Sequence, residues 1–406
     1  LKYKMNKKNS FHKNFQNKNI IEKINKNKKF CSPFLTSSHY RDRLFKFLKK
    51  YMIYFKQGIF VSIRDNEPKI VPMVYYNYKN KFYFKKNKKL NYQYILNPEE
   101  WYIDGCYIRM SIRSKKKPTE WDVSQYFYFI QQLCKHRKIS DIDFIINNTD
   151  FPVLSKKINF FQDGFLPVLS TSGHNNFYDL HLPSVDSIEF FYKKYFLNAG
   201  SKTTCIKRFE KSYKKVKWDN KINTIFFRGS TTGCEIDMKN HRIKTLVYSK
   251  NKKNKLSKYM DIEVDPNGTQ IYRLTKDKKY VNIRRNLYPF KKDFIPFDNW
   301  TKYKYHLNLE GWVAAERFLR LLSLGSCVIN LKSEYTLWFE QFTEKDKYYL
   351  EVNNFDELEK KFFKYHKNQS KVKKIANEGK KYVKKLLSKK VLYDYMEFLL
   401  NNLVCY

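Results

Sequence analysis

Two stretches of this chain combine residue types and spacings suited to binding a phosphorylated ligand, and a third offers a carboxylate at a strand tip. In YKYHLNLEGWVAAERFLRLLSLGSCVIN, residues 303–330, a strand ends in Gly311, Ala314 and Ala315 open a helix predicted over 313–324, and Arg317 stands in its first turn. A helix start offers unpaired N–H groups and the positive end of a dipole, and an arginine there grips phosphate bidentately. That makes the stretch a candidate diphosphate site. An ordinary amphipathic helix with Arg317 on its wet face accounts for the same spacing.

The second stretch, FFRGSTTGCEIDMKNHR, delivers Arg228, Gly229 and Ser230 to the same end of a sheet. Loops at the carboxyl ends of parallel strands are where α/β proteins bind ligands. Its glycines form neither a dinucleotide fingerprint nor a P-loop, so alone they also fit a plain turn. In IINNTDFP, residues 145–152, Asp150 follows an apolar strand and precedes Phe151-Pro152, so its carboxylate is expected at a strand tip facing a cleft. A lone aspartate there also suits a turn or cap. Asp141-Ile142-Asp143 spells a DxD, a carboxylate pair that can hold a metal ion, but it precedes its strand and reads as a solvated entry with no metal bound.

The elements that must position these residues alternate. GIFVSI (58–63) and VPMVYYNY (71–78) read as strands of a small sheet or hairpin. A helix from Trp121 leads into a buried strand at 144–146, another strand covers 167–170, and a helix or turn follows from Ser184. NTIFFRGS then forms a strand, with a helix near 242–248, loops at 250–258 and 265–268, the strand–helix–strand unit of 303–331, and helices to the end. The expected class is α/β, with two Rossmann-like domains facing a cleft and a helical tail. The expected divisions are a basic, mobile extension at 1–35, an N-terminal domain at 36–215, a C-terminal domain at 216–385 and a terminal helix at 386–406 that crosses back.

In order and wording these motifs resemble glycosyltransferase family 90, the capsule-associated, Rumi-like protein O-glucosyltransferase and lipopolysaccharide-modifying group. The resemblance is carried by IINNTDFP, FYDLHLP (177–183), FFRGSTTG, YKY, the G-x5-R of Gly311 to Arg317, LGSCVI and the tail from Asp356, over roughly 95–400. It implies a GT-B fold, UDP-sugar as donor substrate with no cofactor and no metal, and transfer with inversion of glucose or xylose to a hydroxyl on a glycan or protein. It further implies that Asp150 is the base, that Arg228 and Arg317 hold the donor diphosphate, and that Arg242 is a further basic position. Asp179 is the alternative base, with His174 and His181 as acceptor contacts. Such a base contributes ~10²- to 10⁴-fold, and leaving-group electrostatics often more. The chain departs from the family at Glu316, an acid before the arginine, and at DKYYLEV, where a His-Tyr is usual.

Composition sets the outer bounds. In 406 residues, 81 Lys+Arg against 39 Asp+Glu leave a net charge of +42, while 42% hydrophobic residues exclude a wholly disordered basic chain. Such charge favours anionic partners, although Lys, Asn, Ile, Tyr and Phe are also what A/T-rich codons supply. Nucleic-acid binding and a catalytically inactive, glycan-binding transferase fold are therefore the competing readings, with peripheral membrane contact compatible with the charge. Seven scattered cysteines without a CxxC pair suit a reducing compartment and argue against structural zinc. With no apolar leader, spanning segment or retention tail visible, the expectation is a soluble, cytoplasmic monomer.

Overall fold

Asp65 and Asn66 both take positive φ, 49° and 64°, the type I′ geometry that closes a two-residue hairpin. The hairpin joins β1 (Gln57–Arg64) to β2 (Glu67–Asn77) and starts the first sheet. The structure, a computed structural model, describes residues 15–55, 57–77, 102–103, 106–109, 121–157, 164–189, 216–233, 239–265 and 294–404. Cys205, Cys234, Cys405 and the 266–268 part of the predicted DPNG loop lie outside them. The chain divides into two compact units: Leu1–Ile188 with Leu337–Phe342 and Lys389–Tyr406, and Glu189–Thr336 with Thr343–Ser388. Residues 190–215, which lead up to the expected division between 215 and 216, lie outside the described residues.

In the first unit the strands are β1, β2, β3 (Tyr102–Ile103), β4 (Cys106–Arg109), β5 (Ile142–Asn147), β6 (Val168–Ser170), β7 (Ser172–His174) and β8 (Leu180–His181). Seven of them pair in the order β3-β4-β2-β1-β5-β6-β8. Only β5, β6 and β8 run parallel; β1 through β4 are antiparallel, so this unit is a mixed sheet rather than the Rossmann-like half expected. The tight hairpin is the physical reason, because parallel neighbours need a long crossover.

Helices α1 (Lys18–Leu35), α2 (Tyr40–Phe55), α3 (Trp121–His136) and α4 (Val185–Glu189) accompany this sheet. Residues 18–35 are therefore not a mobile extension. Ile20, Ile24, Asn27, Cys31 and Phe34 recur every three or four residues and are buried, so the lysine-rich sequence still presents one inward stripe. Phe34 packs with Leu48, Tyr51, Phe60, Ile145, Leu154, Phe165 and Val168 in the core. The terminal helix Lys389–Leu403 belongs to the same unit: Asp394 and Glu397 pair with Arg137 at 2.8 and 3.3 Å, and the Tyr395 hydroxyl donates to the His181 carbonyl at 2.9 Å. Asp143 is a further correction, for it is buried within β5 and paired with Arg64 at 2.6 Å and with the Tyr40 hydroxyl, not solvated.

The second unit contains β9 (Ile222–Ser230), β10 (Met260–Asp265), β11 (Tyr303–Asn308), β12 (Cys327–Leu331), β13 (Tyr335–Leu337, ending across the unit boundary) and β14 (Leu350–Val352). Five of these form an all-parallel sheet in the order β10-β9-β11-β12-β14. Its helices are α5 (His241–Lys250), α6 (Arg317–Ser323), α7 (Phe355–His366) and α8 (Gln369–Leu386). Strands buried on both faces should be continuously apolar. Here Ile225, Phe227, Leu307, Ile329 and Leu331 alternate along β9, β11 and β12 in the core, while the buried positions between them include the polar His306, Asn308 and Asn330. No helix of the described residues is long and apolar enough to cross a membrane.

At the amino ends of this sheet, Lys221 is buried and its Nζ donates to the Thr301 carbonyl at 2.5 Å and the Ser326 hydroxyl at 2.9 Å. Burial, aided by Lys380, pushes its pKa down to about 7. Between about pH 7 and the usual lysine value, the unfolded chain holds a proton that the folded chain has released. Stability should therefore rise with pH across that window, by at most ~1.4 kcal/mol per pH unit. Urea melts at pH 7, 8 and 9 should show that Lys221→Met removes this component; equal pH dependence in both proteins would contradict it.

Candidate functional site

In the second unit the strand order reverses between β9 and β11, and the crevice outside their carboxyl ends is the expected ligand position of an open α/β sheet. Two guanidinium groups converge there. Arg242 stands in the first turn of α5, whose cap Asn240 accepts from the Arg242 and Ile243 amides at 3.0 and 3.2 Å. Its Nε donates to the Glu310 carbonyl at 2.9 Å, and its Nη1 donates to the Ser230 carbonyl at 2.9 Å and to the Thr232 hydroxyl. Arg317 reaches over from the start of α6, and its Nη1 donates to the Arg228 carbonyl at 2.8 Å. Both guanidiniums lie by the Phe227 ring, at 5.8 Å for Arg242 and 5.3 Å for Arg317.

Two glycines make room for them. A Cβ at Gly229 would sit 3.4 Å from Arg317 Nη2, and one at Gly311 would sit 3.0 Å from Arg242 Nη2. Burial, with the neighbouring Arg320 charge, pushes the Arg317 pKa down to about 10. Burial, and then the Arg317 charge, depresses Arg242 well below the ordinary arginine range, with Glu310 opposing. The Glu310 carboxylate is itself engaged, by His241 Nδ1 at 3.0 Å and by the Ser333 hydroxyl. Two mutually repelling cations, held by carbonyl oxygens, form a cradle that a polyanion would stabilise by charge-assisted hydrogen bonds.

Three expectations change here. The helix begins at Arg317, not Val313; the Gly311 amide donates to the Val313 carbonyl at 3.0 Å, and Ala314 and Ala315 are buried loop residues. With only seven helical residues, α6 carries the site through the Arg317 side chain rather than through free amides. The Arg228 side chain lies toward the opposite face of β9, against the Phe226 ring at 4.6 Å. It pairs with the Asp261 carboxylate at 2.7 Å, so its main-chain carbonyl, not its guanidinium, is what meets Arg317. Gly229 and Ser230 contribute clearance and a carbonyl. Glu316 precedes α6 and makes no capping hydrogen bond.

In the first unit Asp150 is exposed in the loop beyond the carboxyl end of β5 and makes no hydrogen bond or ion pair with any described residue. The loop beneath it is heavily bonded. Asn147 Oδ1 accepts from the Thr149 amide and hydroxyl at 3.0 and 2.7 Å, while its Nδ2 donates to the Phe151 carbonyl at 2.7 Å and the Ser170 hydroxyl at 3.0 Å. Ser170 in turn donates to Asp179 Oδ1 at 2.6 Å. Asp179 also accepts the Val153 and Leu154 amides at 2.8 and 2.7 Å. A free carboxylate on an over-determined loop is the arrangement that a positioned general base needs.

Asp179 is fully buried and its oxygens are occupied, so its geometry suits a clamp on the 150s loop rather than the alternative base. Burial pushes its pKa up, against the hydrogen bonds from Ser170, Val153 and Leu154. Asp179→Asn would set an amide N–H₂ against these donors and should cost about 1–3 kcal/mol of stability. Chemical denaturation reads this directly; unchanged stability with lost turnover would restore Asp179 as the base. His174 Nδ1 accepts the Asn176 amide at 3.0 Å, closing a turn, and His181 is buried beside Gly173, where a Cβ would lie 2.3 Å from its ring. Asn147, Ser170, Phe227 and Glu310 escaped sequence reasoning; the polar run Asn147-Asn148-Thr149 after an apolar strand was the available signal for the first.

The sequence model of glycosyl transferase family 90 matches residues 108–404, which include Asp150, Arg242 and Arg317. The chain belongs to this family. Among related proteins, Uncharacterized protein 179R of Invertebrate iridescent virus 6 is 25% identical over 433 residues, covering 86% of this chain and 36% of its own length. Protein O-glucosyltransferase 3 of Mus musculus is 26% identical over 264 residues, covering 65% of this chain and 47% of its own. Protein O-glucosyltransferase 1 of Rattus norvegicus is 27% identical over 207 residues, covering 50% and 46%. This family 90 chain thus spans less than half the length of these relatives. A glycosyltransferase from Rickettsia africae ESF-5 superposes with a TM-score of 0.33 at 14% identity, over 58% of this chain and 63% of that one, which is too loose to carry an argument.

Proposed function

We propose that this chain is a GT-B, inverting glycosyltransferase that moves glucose or xylose from a UDP-sugar to a hydroxyl on a protein or glycan, without a metal. The observation that carries the reading is the pair of guanidiniums, of buried Arg242 and half-buried Arg317, at the switch point of the parallel sheet. The names of the O-glucosyltransferase relatives support glucose and a protein acceptor.

In this reading Arg242 and Arg317 hold the donor diphosphate and Asp150 is the base. Asp150 takes the proton of the acceptor hydroxyl as its oxygen attacks the anomeric carbon from the face opposite the diphosphate. The bond from that carbon to the diphosphate oxygen breaks, and UDP leaves with the electron pair, its added negative charge met by Arg242 and Arg317. Preorganised cations in a water-poor site are worth far more than in water because they need no reorganisation. The same guanidiniums supply the charge that a divalent ion supplies in DxD enzymes, and Asp143 is committed to Arg64.

Release of UDP from UDP-glucose and UDP-xylose in the presence of EDTA tests the reading. Metal-independent turnover is expected. Absence of UDP binding, together with tight, salt-sensitive binding to RNA, would favour the nucleic-acid alternative.

A further inference from the structure

Within the inward stripe of α1, one position is polar. Asn27 is fully buried, between turns that carry Ile20, Ile24, Cys31 and Phe34. Its Nδ2 donates to the Lys23 carbonyl at 3.0 Å and, across 151 residues, to the Tyr178 carbonyl at 2.9 Å. Its Oδ1 is buried and has no hydrogen-bond partner among the described residues. An unmatched buried oxygen costs stability, so an aliphatic residue would serve the stripe itself at least as well. What asparagine adds is the directed bond to Tyr178.

Tyr178 leads straight to the loop that carries Asp150. Its amide donates to the Leu154 carbonyl at 2.8 Å, its neighbour Phe177 bridges Ser155, and Asp179 takes the Val153 and Leu154 amides. Ser170 and Asn147 close the circuit on the Phe151 carbonyl, one residue from Asp150. The helix also seats its aromatic side here, with Phe30 at 4.9 Å from the Tyr178 ring and 5.8 Å from Phe165. Nearby, Gly164 has a φ of +91°, and a Cβ there would lie 2.8 Å from the Phe30 carbonyl, so the helix backbone approaches as closely as glycine allows.

We propose that Asn27 is a positioning residue: through Tyr178 and Asp179 it fixes the segment from Asn147 to Leu154 and so the direction of the Asp150 carboxylate. The proposal rests on the reading of Asp150 as the base. It also assigns work to α1, which lies upstream of the 108–404 match.

The test is Asn27→Leu in the full chain, followed by amide hydrogen exchange, hydrolysis of UDP-glucose and UDP affinity. Exchange at Val153 and Leu154 should quicken about tenfold and kcat should fall about tenfold. KM and UDP affinity should stay within about twofold, and Asn27→Gln, which keeps the amide donor, should recover part of kcat. Unchanged exchange with unchanged kcat would overturn the proposal, as would a loss that appears in UDP affinity. If Asn27→Leu does not accumulate folded, Asn27→Ser carries the same expectations. If Asp150→Asn retains full turnover, the base reading fails by itself, while the exchange result still decides whether Asn27 braces the loop.

Discussion

Asp150→Asn should lower transfer from UDP-glucose by about 10²- to 10⁴-fold, the usual contribution of a general base, while UDP affinity stays within about twofold. The asparagine keeps the size and shape of the side chain and removes its ability to take a proton. Asp150 makes no hydrogen bond or ion pair with a described residue, so the substitution should leave the loop intact. The bonds that hold that loop come from Asn147, Thr149 and Asp179. Thermal unfolding should accordingly be unchanged. A parallel loss of turnover and UDP affinity would instead assign Asp150 to binding, and full activity would remove it from the mechanism.

Arg317→Ala should weaken UDP binding by about 1.5–3 kcal/mol, the range for a hydrogen bond to a charged group, or roughly tenfold to 150-fold. Arg317 is the cleaner probe of the cradle, because among the described residues a single hydrogen bond to a carbonyl holds it, whereas Arg242 also ties together the Glu310 and Ser230 carbonyls and Thr232. Arg317→Lys should recover little of the loss. A lysine keeps the charge but not the planar fork, and the close approach to Gly229 and the Phe227 face is fitted to a guanidinium. Removing the Arg317 charge also relieves its repulsion of Arg242, so stability should not fall in step with affinity.

What was legible in the sequence followed from local pattern. The apolar runs of β5, β9 and β12 announce buried strands, and the positions of Asp150, Arg242 and Arg317 just past strand ends or at helix starts follow from the strand and helix order. What was not legible depends on partners distant in the chain. Arg228 turns away from the crevice because Asp261, 33 residues later, lies beside it on β10. Asp143 is buried because Arg64 and Tyr40 meet it there. The helix at 18–35 hides its stripe under lysines, and its buried Asn27 gains a reason only through Tyr178, 151 residues away. Helical spacing after Gly311 could not reveal that the chain turns on itself at Val313 before the helix starts.

The most direct test of the central claim, that the Arg242–Arg317 cradle holds a nucleoside diphosphate, is a calorimetric titration of UDP into the wild-type chain and Arg317→Ala, both with EDTA. Saturable one-to-one binding to the wild type is expected, weakened at least about tenfold in the variant. No binding to the wild type, or equal affinity in the two proteins, would contradict it.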